Sequence, residues 1–232
     1  MKKKWMLGAI VLLGGINARA HVRDYLDTYS PATLEKGAAE LELWTDLRNP
    51  DRGDAYWVHQ TEVEYGVTPR YTLGLYGVFI DGQGFSALKV ENRYRPEMPS
   101  SWPLDTALYL ELKKANGRKE NNEIEGKILL GKTWGAVNVT ANPILALEET
   151  RDANGDKSWE LESGLALGTC YRHAWKDVTP GLELLIAENE TRLTPGVYID
   201  VMPGIRFNVG VGIGLEKKAD DAQLKSILEV EF

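Results

Sequence analysis

Charged side chains in this sequence recur at every second position: Glu62 and Glu64; Lys89, Glu91, Arg93 and Arg95; Glu111 and Lys113; Glu123 and Glu125; Glu160 and Glu162. Apolar residues such as Val63, Val90, Leu112, Ile124 and Leu161 stand between them. In an extended chain, residues two apart share a face. The acids and bases therefore line one side of each strand. Carboxylates facing ammonium and guanidinium groups can set up a transverse field in a water-filled space, which a polar solute would feel. The alternative is a closed interior, in which Arg93 and Arg95 neutralise Glu111, Glu123 and Glu125.

Other patterns carry less chemistry. Asp152-Ala153-Asn154-Gly155-Asp156 places oxygens at alternate positions, as a calcium loop does. Its glycine is misplaced for an EF-hand, however, and the twelfth position is Ser163 rather than Glu. A turn at Asn154-Gly155 accounts for it. Arg52-Gly53-Asp54 reads as a turn. Gly210-Val211-Gly212-Ile213-Gly214 lacks the following helix of a nucleotide loop and fits a crowded or curved wall. His59 falls on the apolar face with Thr61 two residues on, the one hint of a lipid-modifying enzyme. No serine follows at a catalytic spacing, so no catalytic residue is assigned. Nothing calls for a cofactor or a metal ion.

The elements that must position these groups follow from composition and pattern. The chain has 232 residues, 43% hydrophobic and 26% charged. That is too apolar for a disordered chain and too polar for a helical membrane bundle. Cys170 is the single cysteine, which excludes an intrachain disulfide framework. A net charge of −7 argues against nucleic acid as a partner. Lys2, Lys3 and Lys4 precede a short apolar run, Trp5 to Gly15, and Ala18-Arg19-Ala20 carries small residues at the positions a signal peptidase reads. Residues 1–20 are thus expected to be a cleaved export signal, because the run is too short to span a membrane. Its loss removes four bases and no acids, taking the charge from −7 to −11.

Beyond residue 37 the pattern has period two almost throughout, in segments of the length that crosses a bilayer as a tilted strand. About twelve such strands are predicted over 38–232, closed into an all-β, antiparallel, up-and-down transmembrane barrel. Thr68-Pro69-Arg70, Trp134-Gly135 and Pro203-Gly204 make tight turns at one rim, and turn-rich connections lie at the other. The ninth strand is placed at 180–188 and the tenth from Thr194. Leu110 is assigned to the lipid face and Tyr109 to the lumen. Tyr65, Tyr71, Tyr94, Trp134, Tyr171 and Phe232 gather near one rim, and Trp57, Phe79, Phe85 and Trp159 near the other. Two aromatic girdles around an apolar band suit a water–lipid boundary on each side. Residues 21–37 are not barrel-like and are expected either to hang in the periplasm or to fold inward as a plug.

The last strand alternates Leu224, Leu228, Val230 and terminal Phe232 with Lys225, Ile227, Glu229 and Glu231. It resembles the C-terminal signature of Gram-negative outer-membrane barrels. That resemblance implies that Leu228, Val230 and Phe232 are read by the barrel-insertion machinery. A wider resemblance rests on Thr33-Leu34-Glu35-Lys36-Gly37, on the run from Tyr65-Gly66-Val67-Thr68-Pro69-Arg70 to Tyr71-Thr72-Leu73-Gly74-Leu75-Tyr76, on Glu91-Asn92-Arg93-Tyr94-Arg95 and on Glu123-Ile124-Glu125-Gly126-Lys127. These are similar to the outer-membrane transporter barrels named for the meta-pathway of phenol degradation. The similarity spreads over most of the chain after residue 20, and it is one of strand-and-turn pattern rather than of a chemical motif.

The expected partners are outer-membrane lipids, the insertion machinery and a small solute. The expected role is porin-like passage of small solutes. Glu62, Glu64, Lys89, Glu91, Arg93, Arg95, Glu111, Lys113, Glu123, Glu125, Glu160 and Glu162 are the candidate pore lining. A non-conducting structural or assembly barrel is the alternative.

Overall fold

The computed structural model describes residues 24–50, 53–116, 121–151, 156–188, 190–216 and 220–232. The expected export signal, Arg52 and the Asp152–Gly155 turn lie outside these residues. Twelve strands run in chain order: β1 (Ala39–Asn49), β2 (Tyr56–Thr68), β3 (Tyr71–Ile80), β4 (Gly84–Tyr94), β5 (Asp105–Ala115), β6 (Glu123–Trp134), β7 (Val137–Arg151), β8 (Lys157–Tyr171), β9 (Val178–Ala187), β10 (Glu190–Met202), β11 (Ile205–Gly214) and β12 (Ala222–Glu231). Each pairs antiparallel with its chain neighbours, and β1 closes on β12 with Leu41 opposite Val230 and Leu43 opposite Leu228. The Phe232 N–H bonds the Ala39 carbonyl at 2.8 Å and finishes that seam.

Alternation decides which way each side chain faces, and burial follows it. Tyr109 is 3% exposed and its neighbour Leu110 is 43% exposed. Leu73, Leu75, Leu108, Leu112, Ile128, Leu145, Leu182 and Val211 also stand on the outer surface. Its aromatic residues collect at the two rims as expected, with Tyr65, Tyr94, Trp134, Tyr171 and Phe232 at the rim that carries the short turns, and Trp57, Phe79, Phe85 and Trp159 at the other. His59 points outward too, stacked on Trp57 with ring centroids 6.1 Å apart and its Nδ1 3.3 Å from the Thr45 hydroxyl. The tight turn between β6 and β7 uses Gly135 at φ +60°, a conformation that a side chain would strain.

Prolines account for the irregular seams. Pro143, Pro180 and Pro195 lie inside β7, β9 and β10, each keeping a pairing partner on one side only: Leu165, Val197 and Leu182. On the other side the registers of β6–β7, β8–β9 and β10–β11 are interrupted or end at these residues. A proline has no N–H to give the ladder, so one hydrogen bond is lost at each place. The tenth strand also begins four residues before the expected Thr194. Arg192 is thereby a wall residue, not a loop residue.

The face assignment predicts a stability contrast. Leu110→Arg places a guanidinium in hydrocarbon and is expected to cost about 2–4 kcal/mol. Gln60→Arg faces a lumen cavity of about 180 Å³ and should cost much less. Equal midpoints in urea-driven unfolding from lipid vesicles would show the two faces to be misassigned. Tyr109, the first lumen position to suggest itself, is no fair comparison, because it packs against the inward segment described next.

Candidate functional site

The barrel interior is polar, and part of the chain outside the strands lies in it. Residues 24–37 enter from the rim of the short turns, rise through the lumen and return to the same rim. The Leu34 N–H donates to the Thr72 hydroxyl at 2.8 Å. Tyr29 reaches mid-depth, where Asn142 binds its backbone twice: Oδ1 accepts from the Tyr29 N–H at 2.7 Å and Nδ2 donates to the Tyr29 carbonyl at 3.0 Å. The Tyr29 ring packs 4.9 Å from that of Tyr109, with Lys127 4.5 Å above it and Arg93 5.5 Å away. At the top of the excursion sits Asp27. The segment then descends through Leu26 and Tyr25 to Asp24, whose carboxylate meets Arg172 at 2.5 Å and Arg206 at 3.0 Å near the turn rim.

Two carboxylates anchor the top. Glu183 of β9 accepts three consecutive backbone N–H groups, those of Leu26, Asp27 and Thr28, each at 2.7 Å, and the Tyr198 hydroxyl at 3.0 Å. Hydrogen bonds to a charged group contribute about 1.5–3 kcal/mol each, so this cradle outweighs the neutral contacts of the segment. The Asp27 carboxylate accepts from Arg192 Nη2 at 2.9 Å, from the Thr194 hydroxyl at 2.8 Å and from Lys225 Nζ. Burial alone would raise the Asp27 carboxyl. Lys225 and Arg192 outweigh burial and hold it well below the usual carboxylate range.

The wall makes room for the segment with glycine. A Cβ on Gly168 would stand 2.5 Å from the Tyr25 ring, and one on Gly181 2.5 Å from the Tyr198 ring. Gly210 faces Leu26 and Gly212 faces Arg192. The Gly210–Gly214 run is therefore the crowded wall that the sequence suggested.

The candidate lining residues divide into three groups. Glu62, Glu64, Glu91, Arg93 and Glu111 are buried in the lumen. Lys89, Lys113, Glu123 and Glu125 are half-buried there. Arg95 lies past the end of β4, exposed at the turn rim, and Glu160 is exposed on the long β7–β8 hairpin, with Glu162 beneath it. The expected neutralisation of Glu111, Glu123 and Glu125 by Arg93 and Arg95 is not what the lumen contains. Arg93 Nη2 instead pairs with Glu64 at 3.0 Å and Glu91 at 2.5 Å. Lys89 takes Glu111 at 3.0 Å, Lys113 takes Glu123 at 3.0 Å, and Lys127 takes Glu125 at 2.9 Å. Arg93 thus reaches past β3 to Glu64 on β2 and along its own strand to Glu91, while Lys89 and Lys113 take glutamates on the adjacent strand and Lys127 takes one on its own.

Buried carboxylates concentrate on β1, β2 and β12. Oxygens of Glu40, Glu42 and Glu229 lie within 4.8 Å of one another, as do those of Glu42, Glu62 and Glu64. Oxygen sets of this kind suit a hard cation. The members have other partners already, among them Glu42 accepting from the Trp44 indole N–H at 2.8 Å, Glu229 accepting from the Asn208 amide at 2.6 Å and Glu64 pairing with Arg93. Beyond the top of the inward segment a cavity of about 220 Å³ remains, bordered by Asp27, Tyr29, Lys89, Lys127, Arg192 and Lys225 among others.

No protein-family model matches the sequence, and no curated protein matches it. The resemblance to the phenol meta-pathway barrels therefore stands on the residues quoted above. Solved structures do share the fold. An outer membrane channel from Pseudomonas putida F1 superposes with a TM-score of 0.62 at 12% identity, over 90% of this chain and 100% of that one. The NanC porin gives 0.60 at 11% identity, over 83% and 98%. The KdgM porin, also solved in complex with disordered oligogalacturonate, gives 0.58 at 12% identity, over 83% and 98%. At such identities the likeness is one of architecture.

The Asp27 clasp has a pH signature of known sign. A carboxyl held low when folded contributes stability that is complete above its unfolded value and is lost as pH falls through the folded one. Hydrogen exchange at the Leu26–Thr28 amides, corrected for intrinsic rates, should show a constant difference between wild type and Asp27→Asn above about pH 4, the ordinary Asp value. That difference should shrink in stronger acid. A difference already lost at neutral pH would contradict the clasp.

Proposed function

We propose that the chain is an outer-membrane channel for small polar or mildly hydrophobic solutes, and that residues 24–34 are its gate. The observation that carries this reading is what fills the lumen. A barrel of roughly eight strands is closed by its own side chains, and one of 16–18 is open. Here the wall of twelve leaves room, and the space is taken by a separable segment held through polar contacts. A structural barrel gains nothing from a filling of that kind, whereas a channel gains a closed state. The apolar exterior, the two aromatic girdles and the shared architecture of the porins support an outer-membrane location. The export signal, the recognition of Leu228, Val230 and Phe232 by the insertion machinery, and the pore-lining role of the buried charged residues belong to the same proposal. His59, on the lipid face with a threonine hydroxyl as its neighbour, is assigned no catalysis.

Single-channel recording on refolded protein tests the reading. Full-length protein is expected to show brief, infrequent openings. Deletion of residues 21–34 should give long-lived openings of higher conductance. Absence of current in both, with the barrel shown folded by heat-modifiable gel mobility, would replace the channel with the non-conducting structural barrel. Phe232→Ala, which keeps the backbone bonds to Ala39, is expected to lower the fraction of protein recovered in the outer membrane of expressing cells, with no loss of stability in detergent. An unchanged fraction would remove Phe232 from the insertion signal.

A further inference from the structure

Asp27 is bound the way a ligand is bound. Its two carboxylate oxygens have separate partners on the wall: Oδ1 accepts from Arg192 and Lys225, and Oδ2 accepts from the Thr194 hydroxyl. Arg192 and Thr194 stand two apart on β10 and face inward together, and Lys225 reaches in from β12. Two cations and a hydroxyl divided between two oxygens form a receptor for a flat carboxylate. All three wall residues belong to strands, so the receptor remains when the segment leaves. Its present occupant arrives on a tether. Asp27, Arg192 and Lys225 also border the 220 Å³ cavity, so a solute in that cavity stands beside the receptor and its occupant.

We infer that the Arg192–Thr194–Lys225 site is a binding site for the carboxylate of a small anionic solute, and that Asp27 occupies it as an internal stand-in. A solute carboxylate that takes the place of Asp27 keeps Arg192 and Lys225 neutralised. Departure of Asp27 alone would take from Lys225 the carboxylate it binds and leave Arg192 with Glu190, in a poorly hydrated wall, which is costly. Exchange thus avoids most of the penalty that opposes spontaneous opening, and the solute itself releases the segment. Glu183 adds to the effect. Its cradle of Leu26, Asp27 and Thr28 N–H groups is aligned only while Asp27 is seated, so loss of one contact loosens the other. Charge-neutral solutes have no means of replacing Asp27. The inference deepens the channel reading and rests on it for the consequence of release, but not for the binding site.

Two readouts separate the site from the channel. The first is chemical. In full-length protein with Cys170→Ser, a Thr28→Cys thiol is buried beneath Glu183 and should react slowly with a charged methanethiosulfonate reagent. Sodium acetate is expected to accelerate that reaction saturably, on the order of tenfold, within the usual range for coupled sites. Acetamide, of like size and no charge, and sodium chloride at equal ionic strength should leave it slow. Asp27→Asn should react fast in chloride alone. Thr194→Val, which removes one hydrogen bond and no charge, should weaken the response to acetate, and Arg192→Gln with Lys225→Gln should abolish it. The second readout is current, with open probability following the same order of salts and variants. Labelling that ignores acetate and is equally slow in Asp27→Asn overturns the inference even if the protein conducts. Labelling that follows acetate without any current upholds the site and overturns the channel.

Discussion

In hydrocarbon an unpaired backbone amide finds no partner, and each one costs several kcal/mol. Every other feature of this protein depends on that constraint. It requires the sheet to close, and β1 meets β12 along a register from Glu40–Glu231 to Asn49–Ala222. Closure in turn creates two environments from one alternating pattern. Odd and even residues of a strand are separated by the thickness of the wall, so Leu110 stands in lipid and Tyr109 in the lumen. The three mid-strand prolines mark where the constraint is relaxed, and each gives up its pairing on the side that would need its N–H.

The lumen obeys a different rule. Buried charge is tolerated only when paired, and the inward bases Lys89, Arg93, Lys113 and Lys127 each meet a glutamate on their own or an adjacent strand. These local pairs hold the charged walls without bridging the lumen. What crosses it is the segment around Tyr29 and Asp27, seated by Glu183, which accepts three of its backbone N–H groups, and by cations that donate to its aspartates. Among the described residues no inter-strand hydrogen bond of the barrel runs through residues 24–34.

Legibility varied residue by residue. Glu62, Glu64, Glu91, Arg93 and Glu111 are buried on the face that the period of two gives them, and that period needs no knowledge of neighbours. Arg192 was missed. The tenth strand was placed from Thr194, although the alternation Arg192, Thr194, Gly196, Tyr198 begins before it and extends past Pro195. Glu183 falls on the inward face of β9, but nothing near it in sequence announces that its partners are the amides of Leu26 to Thr28, more than 150 residues away. Asp24, Asp27 and Tyr29 lie in a stretch without periodicity, and such a stretch has no face to read. The pairing of Arg93 was misjudged for the related reason that several glutamates satisfied the same charge rule and distance alone chose among them.

The sequence by itself determined the strand number, the closed antiparallel architecture, the identity of the lipid face and the aromatic rims. All of these follow from local alternation, strand length and turn chemistry, and the need to pair every amide in lipid leaves one way to assemble them. Only the tertiary structure decided what occupies the interior. Which carboxylate meets which cation, and whether residues 24–37 hang free or enter the barrel, depends on contacts between residues distant in the chain. Such contacts are set by the radius at which twelve strands close and by the room that Gly168, Gly181, Gly210 and Gly212 leave on the inner wall, and neither quantity has a period to be read.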